Sequence, residues 1–176
     1  MSPFQIDPNH AREHAPIQPA PIPFFAEMVE SLGHLQKAGK QKSWIETPRT
    51  AKLTMLFFFA PWCDVCHFAA PVVKRLHAER GKEGLAVLGV SEYGTPAETE
   101  EYRRMHGHFF PFVYESMHRD KREDDDLWHR QVFRALGDTR QWGTPTFVFN
   151  APGAGTFACP GEFIEEDLER FLKERL

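Results

Sequence analysis

Phe58-Phe59-Ala60-Pro61-Trp62-Cys63-Asp64-Val65-Cys66 is the stretch on which the fold turns. It closes the segment 53–59, Leu-Thr-Met-Leu-Phe-Phe-Phe, whose nearly unbroken apolar run predicts a central strand covered on both faces. Downstream, Phe68, Val72, Val73 and Leu76 predict a helix from about Cys63 to Arg80, kinked at Pro71 and closed by Gly81 and Gly84. Cys63 then falls at a helix start, where unpaired N–H groups and the macrodipole favour an anion. Cys66, three residues on, shares its face, so the two sulfurs can meet in a disulfide with little backbone movement. A thiolate at Cys63 attacks, and Cys66, one turn inside the helix, suits the resolving role.

Other elements extend outward from this pair. Apolar residues at spacings of three and four predict a helix over 24–38 stopped by Gly39, followed by a loop with Pro48. Residues 85–90 form a second buried strand. Thr95 and Glu98 form a capping box for a helix over 96–106. Residues 109–114 read as a short strand and 127–136 as a short helix. Residues 146–150 and 156–159 read as a hairpin, and 164–176 as a last helix. Strands alternating with helices predict an α/β fold, in which chemistry sits at the C-terminal ends of strands.

Composition bounds the rest. The 176 residues suit one decorated domain, and the 16 phenylalanines supply much of its core. A formal charge of −4 gives no basic face for nucleic acid. The longest apolar run, 55–62, is too short to span a membrane. Residues 1–23 are predicted to be an irregular arm, disordered or wrapped on the surface, because five prolines between Pro8 and Pro23 oppose helix and sheet. No basic region followed by an apolar stretch marks a leader there, which predicts a cytoplasmic protein if the chain is complete and an extracytoplasmic one if a leader was removed.

Three cysteines are too few for a disulfide framework. A C-x-x-C is also half of a zinc site, but no second such pair follows, and Cys159 stands alone as a small hydrophobe on the last strand. His67 favours nearby thiolates if protonated and donates a hydrogen bond if neutral; a plain surface position is the alternative. Asp64 opposes a thiolate by like charge. The charged run 118–126 lacks the spacing and central glycine of a calcium loop and reads as a solvated loop.

Trp62-Cys63-Asp64-Val65-Cys66 after its strand, Pro71 within the helix, and Gly143-Thr144-Pro145-Thr146-Phe147 before a strand together resemble the thioredoxin superfamily. The resemblance covers about 53–176. The unit from 85–91 to Phe110-Pro111-Phe112-Val113 is similar to the inserted unit of the TlpA/ResA-like group. The likeness implies a thioredoxin fold, a central mixed sheet flanked by helices with an N-terminal extension. It divides the chain into an arm, 1–23, and a domain, 24–176, with its core at 53–176. It also implies a cis-proline at Pro145, with Trp62, Thr144 and Pro145 binding substrate. The implied activity is exchange with protein or small-molecule thiols and disulfides, without a cofactor or metal. Two positions depart from the pattern: Phe57 and Ala69 stand where relatives carry proton-moving acids. Those departures favour, as an alternative, a redox-inactive binding domain of the same fold; the two thiols next to His67, in a chain with nine histidines, favour as another a thiol-based metal-binding module or metallochaperone.

Overall fold

A computed structural model describes residues 12–35, 50–107, 110–119 and 124–176. Its elements run β1 (His14–Ala15), β2 (Gln18–Pro19), α1 (Phe25–Gly33), β3 (Leu53–Phe59), α2 (Asp64–Arg80), β4 (Leu85–Ser91) and α3 (Pro96–His106). They continue with β5 (Phe112–Tyr114), α4 (Trp128–Ala135), β6 (Thr146–Ala151), β7 (Gly155–Cys159), β8 (Glu162–Phe163) and α5 (Glu165–Arg175). The main sheet has the order β2-β7-β6-β3-β4-β5. β3 pairs in parallel with β4, and β4 with β5, whereas β6 and β7 run antiparallel.

β3 is the spine. All seven of its residues are buried, and alternate side chains point to opposite faces. Leu53, Met55, Phe57 and Phe59 enter a core with α2 and α5. Leu56 and Phe58 enter a second core with Met28 and Leu32 of α1 and Val132 of α4. The Phe57 ring stacks on Phe59 and Phe147, with centroids at 5.1 and 4.9 Å. Truncating such a ring to alanine costs about 3–5 kcal/mol. Gly89 on β4 leaves room for Phe110, because a Cβ there would overlap its ring. Helices on both faces leave the C-terminal end of β3 open, and there the chain turns into α2.

Several boundaries differ from the sequence expectation. α1 ends at Gly33, because the amides of His34 and Leu35 close back on Ser31 and Leu32 in a tightened last turn. The rest of the expected helix, its Gly39 stop and the Pro48 loop lie outside the described residues, as does Phe109. α2 continues through Pro71 to Arg80. The described part of the arm carries two short strands where its prolines predict neither helix nor sheet. β2 pairs with β7, setting Pro19 against Phe157. Proline is tolerated there because β2 is an edge strand, whose outer side needs no donor. β1 pairs in parallel with β8, a strand that the sequence did not reveal. Arg12 makes an ion pair with Glu162, whose side chain is 5% exposed, and lies over the Phe68 ring of α2.

Candidate functional site

Cys63 is the N-cap of α2. Its sulfur accepts a hydrogen bond from the Cys66 amide at 3.3 Å, the role an N-cap oxygen usually fills. Its thiol faces the Thr144 carbonyl oxygen at 3.6 Å. Cys63 is partly exposed and Cys66 is fully buried, and both are free thiols. The Cys63 thiol is pulled down from the ordinary range, first by its hydrogen bond with Cys66, against the opposing effect of burial. Burial pushes the Cys66 thiol well up. One sulfur is thus prepared to ionise and the other to stay protonated.

The loop before β6 faces the dithiol, and its Thr144–Pro145 peptide is cis. The Thr144 hydroxyl is buried beside both sulfurs. As a donor there it favours the thiolate at each. A groove of about 390 Å³ opens at Cys63, lined also by Glu13, Trp62, Asp64, Trp142 and Thr144 among others. Trp62 forms one wall. Its indole N–H donates to the Tyr93 carbonyl at 2.8 Å, and Trp142 meets it edge-on at 4.8 Å. The structure therefore gathers Trp62, Cys63, Asp64, Cys66, Thr144 and Pro145 at one place.

His67 is buried, which removes the surface alternative. One ring nitrogen lies 2.7 Å from the Pro61 carbonyl and the other 2.9 Å from Nε2 of His106. A carbonyl can only accept, so in the neutral ring Nε2–H donates to Pro61 and Nδ1 accepts from His106. Burial lowers the pKa of His67. Its contacts brace the turn that carries Trp62 and Cys63. Cys159 is buried, with its pKa pushed up to about 12 by burial. Its thiol lies 3.3 Å from the Ala15 carbonyl and ties the arm down.

Sequence reasoning missed four residues here. Arg140 grips Asp138, donates to the Pro145 carbonyl and to Thr146 Oγ1 at 3.0 Å each, and pairs with Glu13 of the arm at 3.4 Å. Its charge also favours the Cys63 thiolate. Glu13 reaches the groove only because β1 docks on β8. Tyr93 and His129 lie beneath the site. A fifth contact comes from the charged run, of which 120–123 lie outside the described residues: Arg119 sits over the Trp62 ring at 4.7 Å. None of these residues carries a local motif; the chain reversals that assemble them are tertiary. Among the described residues, no group of three or more His, Cys, Asp or Glu side chains could hold a metal ion. No described helix is long and apolar enough to cross a membrane.

No protein-family model and no curated protein sequence matches the chain. Solved structures do. A thiol:disulfide interchange protein of the thioredoxin family from Chlorobium tepidum aligns over 94% of this chain and 99% of its own, at 17% identity and TM-score 0.55. MTB DsbF, solved in mixed oxidised and reduced forms, aligns over 75% and 86%, at 22% identity and TM-score 0.54. A secreted Mycobacterium tuberculosis disulfide oxidoreductase homologous to E. coli DsbE aligns over 72% and 85%, at 15% identity and TM-score 0.53. With its sheet order, its dithiol at the start of α2 and the loop that faces it, the chain is a thioredoxin-fold protein.

Proposed function

We propose that the chain is a thiol–disulfide oxidoreductase that exchanges electrons with protein disulfides through Cys63 and Cys66. The observation that carries this reading is the asymmetry of the two thiols. A partly exposed sulfur caps the helix, its partner is buried one turn below, and a backbone loop faces both. The structural neighbours described as disulfide oxidoreductases support the same chemistry.

In the reducing direction, the Cys63 thiolate attacks one sulfur of the substrate disulfide. The substrate S–S bond breaks, a Cys63–substrate disulfide forms, and the first substrate sulfur leaves as a thiolate that takes up a proton from solvent. Cys66 then loses its proton and attacks the Cys63 sulfur. The Cys63–Cys66 disulfide forms, and the second substrate thiolate leaves and takes up that proton. Two electrons pass to the substrate, and the reverse sequence oxidises a dithiol. Position 57 is a core phenylalanine and position 69 a buried alanine, so neither receives the Cys66 proton. The polar group beside both sulfurs is the Thr144 hydroxyl, which we assign to relay it. Trp62 and the Thr144–Pro145 backbone receive the substrate chain.

Insulin reduction with dithiothreitol as electron source tests the reading. Wild-type protein accelerates it, Cys63→Ser does not, and Cys66→Ser accumulates a mixed disulfide with the substrate. Equal rates for wild type and Cys63→Ser would overturn the assignment.

A further inference from the structure

We propose that Tyr93 is a positioning residue that fixes both walls of the substrate groove from below. The inference rests on the redox reading above and extends it to groups that touch neither sulfur.

Tyr93 follows β4 and is fully buried. It is the one non-glycine residue among those described with a positive φ, at 56°, a conformation that side chains with a Cβ rarely adopt. Such a backbone persists only where its surroundings over-determine it. Here they do, at three points. The Tyr93 amide donates to Ser116 Oγ at 3.3 Å. Its carbonyl accepts the Trp62 indole N–H at 2.8 Å. Its hydroxyl meets Nδ1 of His129, itself fully buried.

His129 carries the link across to the opposite wall. Its Nε2 lies 3.0 Å from the Gly143 carbonyl. That carbonyl can only accept, so the neutral ring donates from Nε2 and accepts the Tyr93 hydroxyl proton at Nδ1. The Gly143 carbonyl also accepts from Thr146 Oγ1 at 2.6 Å. Gly143 has φ +71°, and a Cβ there would run into Phe133 and come within 3.4 Å of His129. The next residue is Thr144, whose carbonyl faces Cys63. One residue thus bonds Trp62 through its backbone and, through its hydroxyl, the His129 ring that holds the loop opposite. The spacing between the tryptophan wall and the Thr144 backbone is set by this Trp62–Tyr93–His129–Gly143 chain. An extended substrate segment must fit that gap, whereas a small disulfide need not.

Tyr93→Phe removes one hydroxyl and keeps the ring. The expected result is a KM for insulin raised about tenfold with kcat within about twofold, and turnover of hydroxyethyl disulfide unchanged. Hydrogen exchange at 142–146 rises, and exchange in β3 does not. Because Tyr93→Phe leaves a buried His129 nitrogen without its partner, Tyr93→Phe/His129→Leu is measured beside it. Removing both polar ends restores thermal stability but leaves the high KM and the fast exchange. An insulin KM within twofold of wild type in a folded Tyr93→Phe protein, equal losses on both disulfides, or unchanged exchange at 142–146 would each overturn the proposal. If wild-type protein reduces neither disulfide, the redox reading fails, and the exchange result alone decides whether Tyr93 holds the loop.

Discussion

The Cys63 thiol lies 3.6 Å from the carbonyl oxygen of Thr144, although 81 residues separate the two in the chain. Joining them takes the return of β6 beside β3 in antiparallel register. The thiol and the loop before β6 are therefore parts of one surface. The resting contact is a thiol donating to a carbonyl, and ionisation of Cys63 releases that carbonyl.

Selective alkylation follows from the two sulfur environments. In the reduced protein, iodoacetamide labels Cys63 first, with a midpoint below that of an unperturbed cysteine. Cys66 and Cys159, both buried and raised, stay unlabelled at neutral pH. Thr144→Val removes the hydroxyl donor and moves the Cys63 midpoint up. Peptide mass mapping across pH reads all three sites, and equal labelling of Cys63 and Cys66 would contradict the asymmetry.

Arg140 holds the loop through a planar fork. Arg140→Ala leaves Asp138, whose side chain is 4% exposed, as a buried charge without its main partner, and frees the Pro145 carbonyl. A loss of about 2–4 kcal/mol in urea unfolding is expected, with a higher Cys63 midpoint because a nearby positive charge is gone. Arg140→Lys keeps the charge but not the two-pronged contact and recovers the midpoint better than the stability. A loss below 1 kcal/mol in Arg140→Ala would show the fork to be dispensable.

Glu92 is a fully buried carboxyl set beside the carboxyl of Glu115. Burial, then the neighbouring Glu115, pushes its pKa well above the usual range. The folded chain therefore binds a proton at Glu92 that the unfolded chain has released, so stability falls as pH rises through the unfolded value near 4.3. Glu92→Leu is expected to be more stable by about 1–3 kcal/mol at pH 7. The advantage shrinks as pH is lowered toward 4. Unfolding curves for both proteins at pH 4 and 7 measure it, and an unchanged gap would exclude ionisation as its origin.

The arm is fastened by the Arg12–Glu162 pair. Arg12→Ala leaves the Glu162 carboxylate under β1 without its cation. Because Arg12 is half exposed, the expected loss is about 1–2 kcal/mol. Faster proteolysis within 12–20, ahead of any cleavage in 53–176, marks the arm's release. Arm cleavage no faster than wild type would place the fastening elsewhere, in Cys159 and the β2–β7 ladder.

The sequence by itself determined the strand at 53–59, the helix after it, the capping box at Thr95 and the dithiol at a helix start. Each follows from interactions within a few residues: apolar periodicity, a cap, the i,i+3 spacing of Cys63 and Cys66. It also marked Thr144 and Pro145, through a resemblance and not through local physics. Only the tertiary structure decided what surrounds the sulfurs. Glu13 enters the groove because β1 finds β8, Arg140 because Asp138 orients it, and Tyr93 because it bonds Trp62 and His129 at once. Such placements depend on contacts between residues tens of positions apart, and no periodicity in a single chain encodes them. Burial is tertiary for the same reason: it turned His67 from a surface candidate into a brace, and it raised the Cys66 thiol while the hydrogen bond between the two sulfurs lowered Cys63.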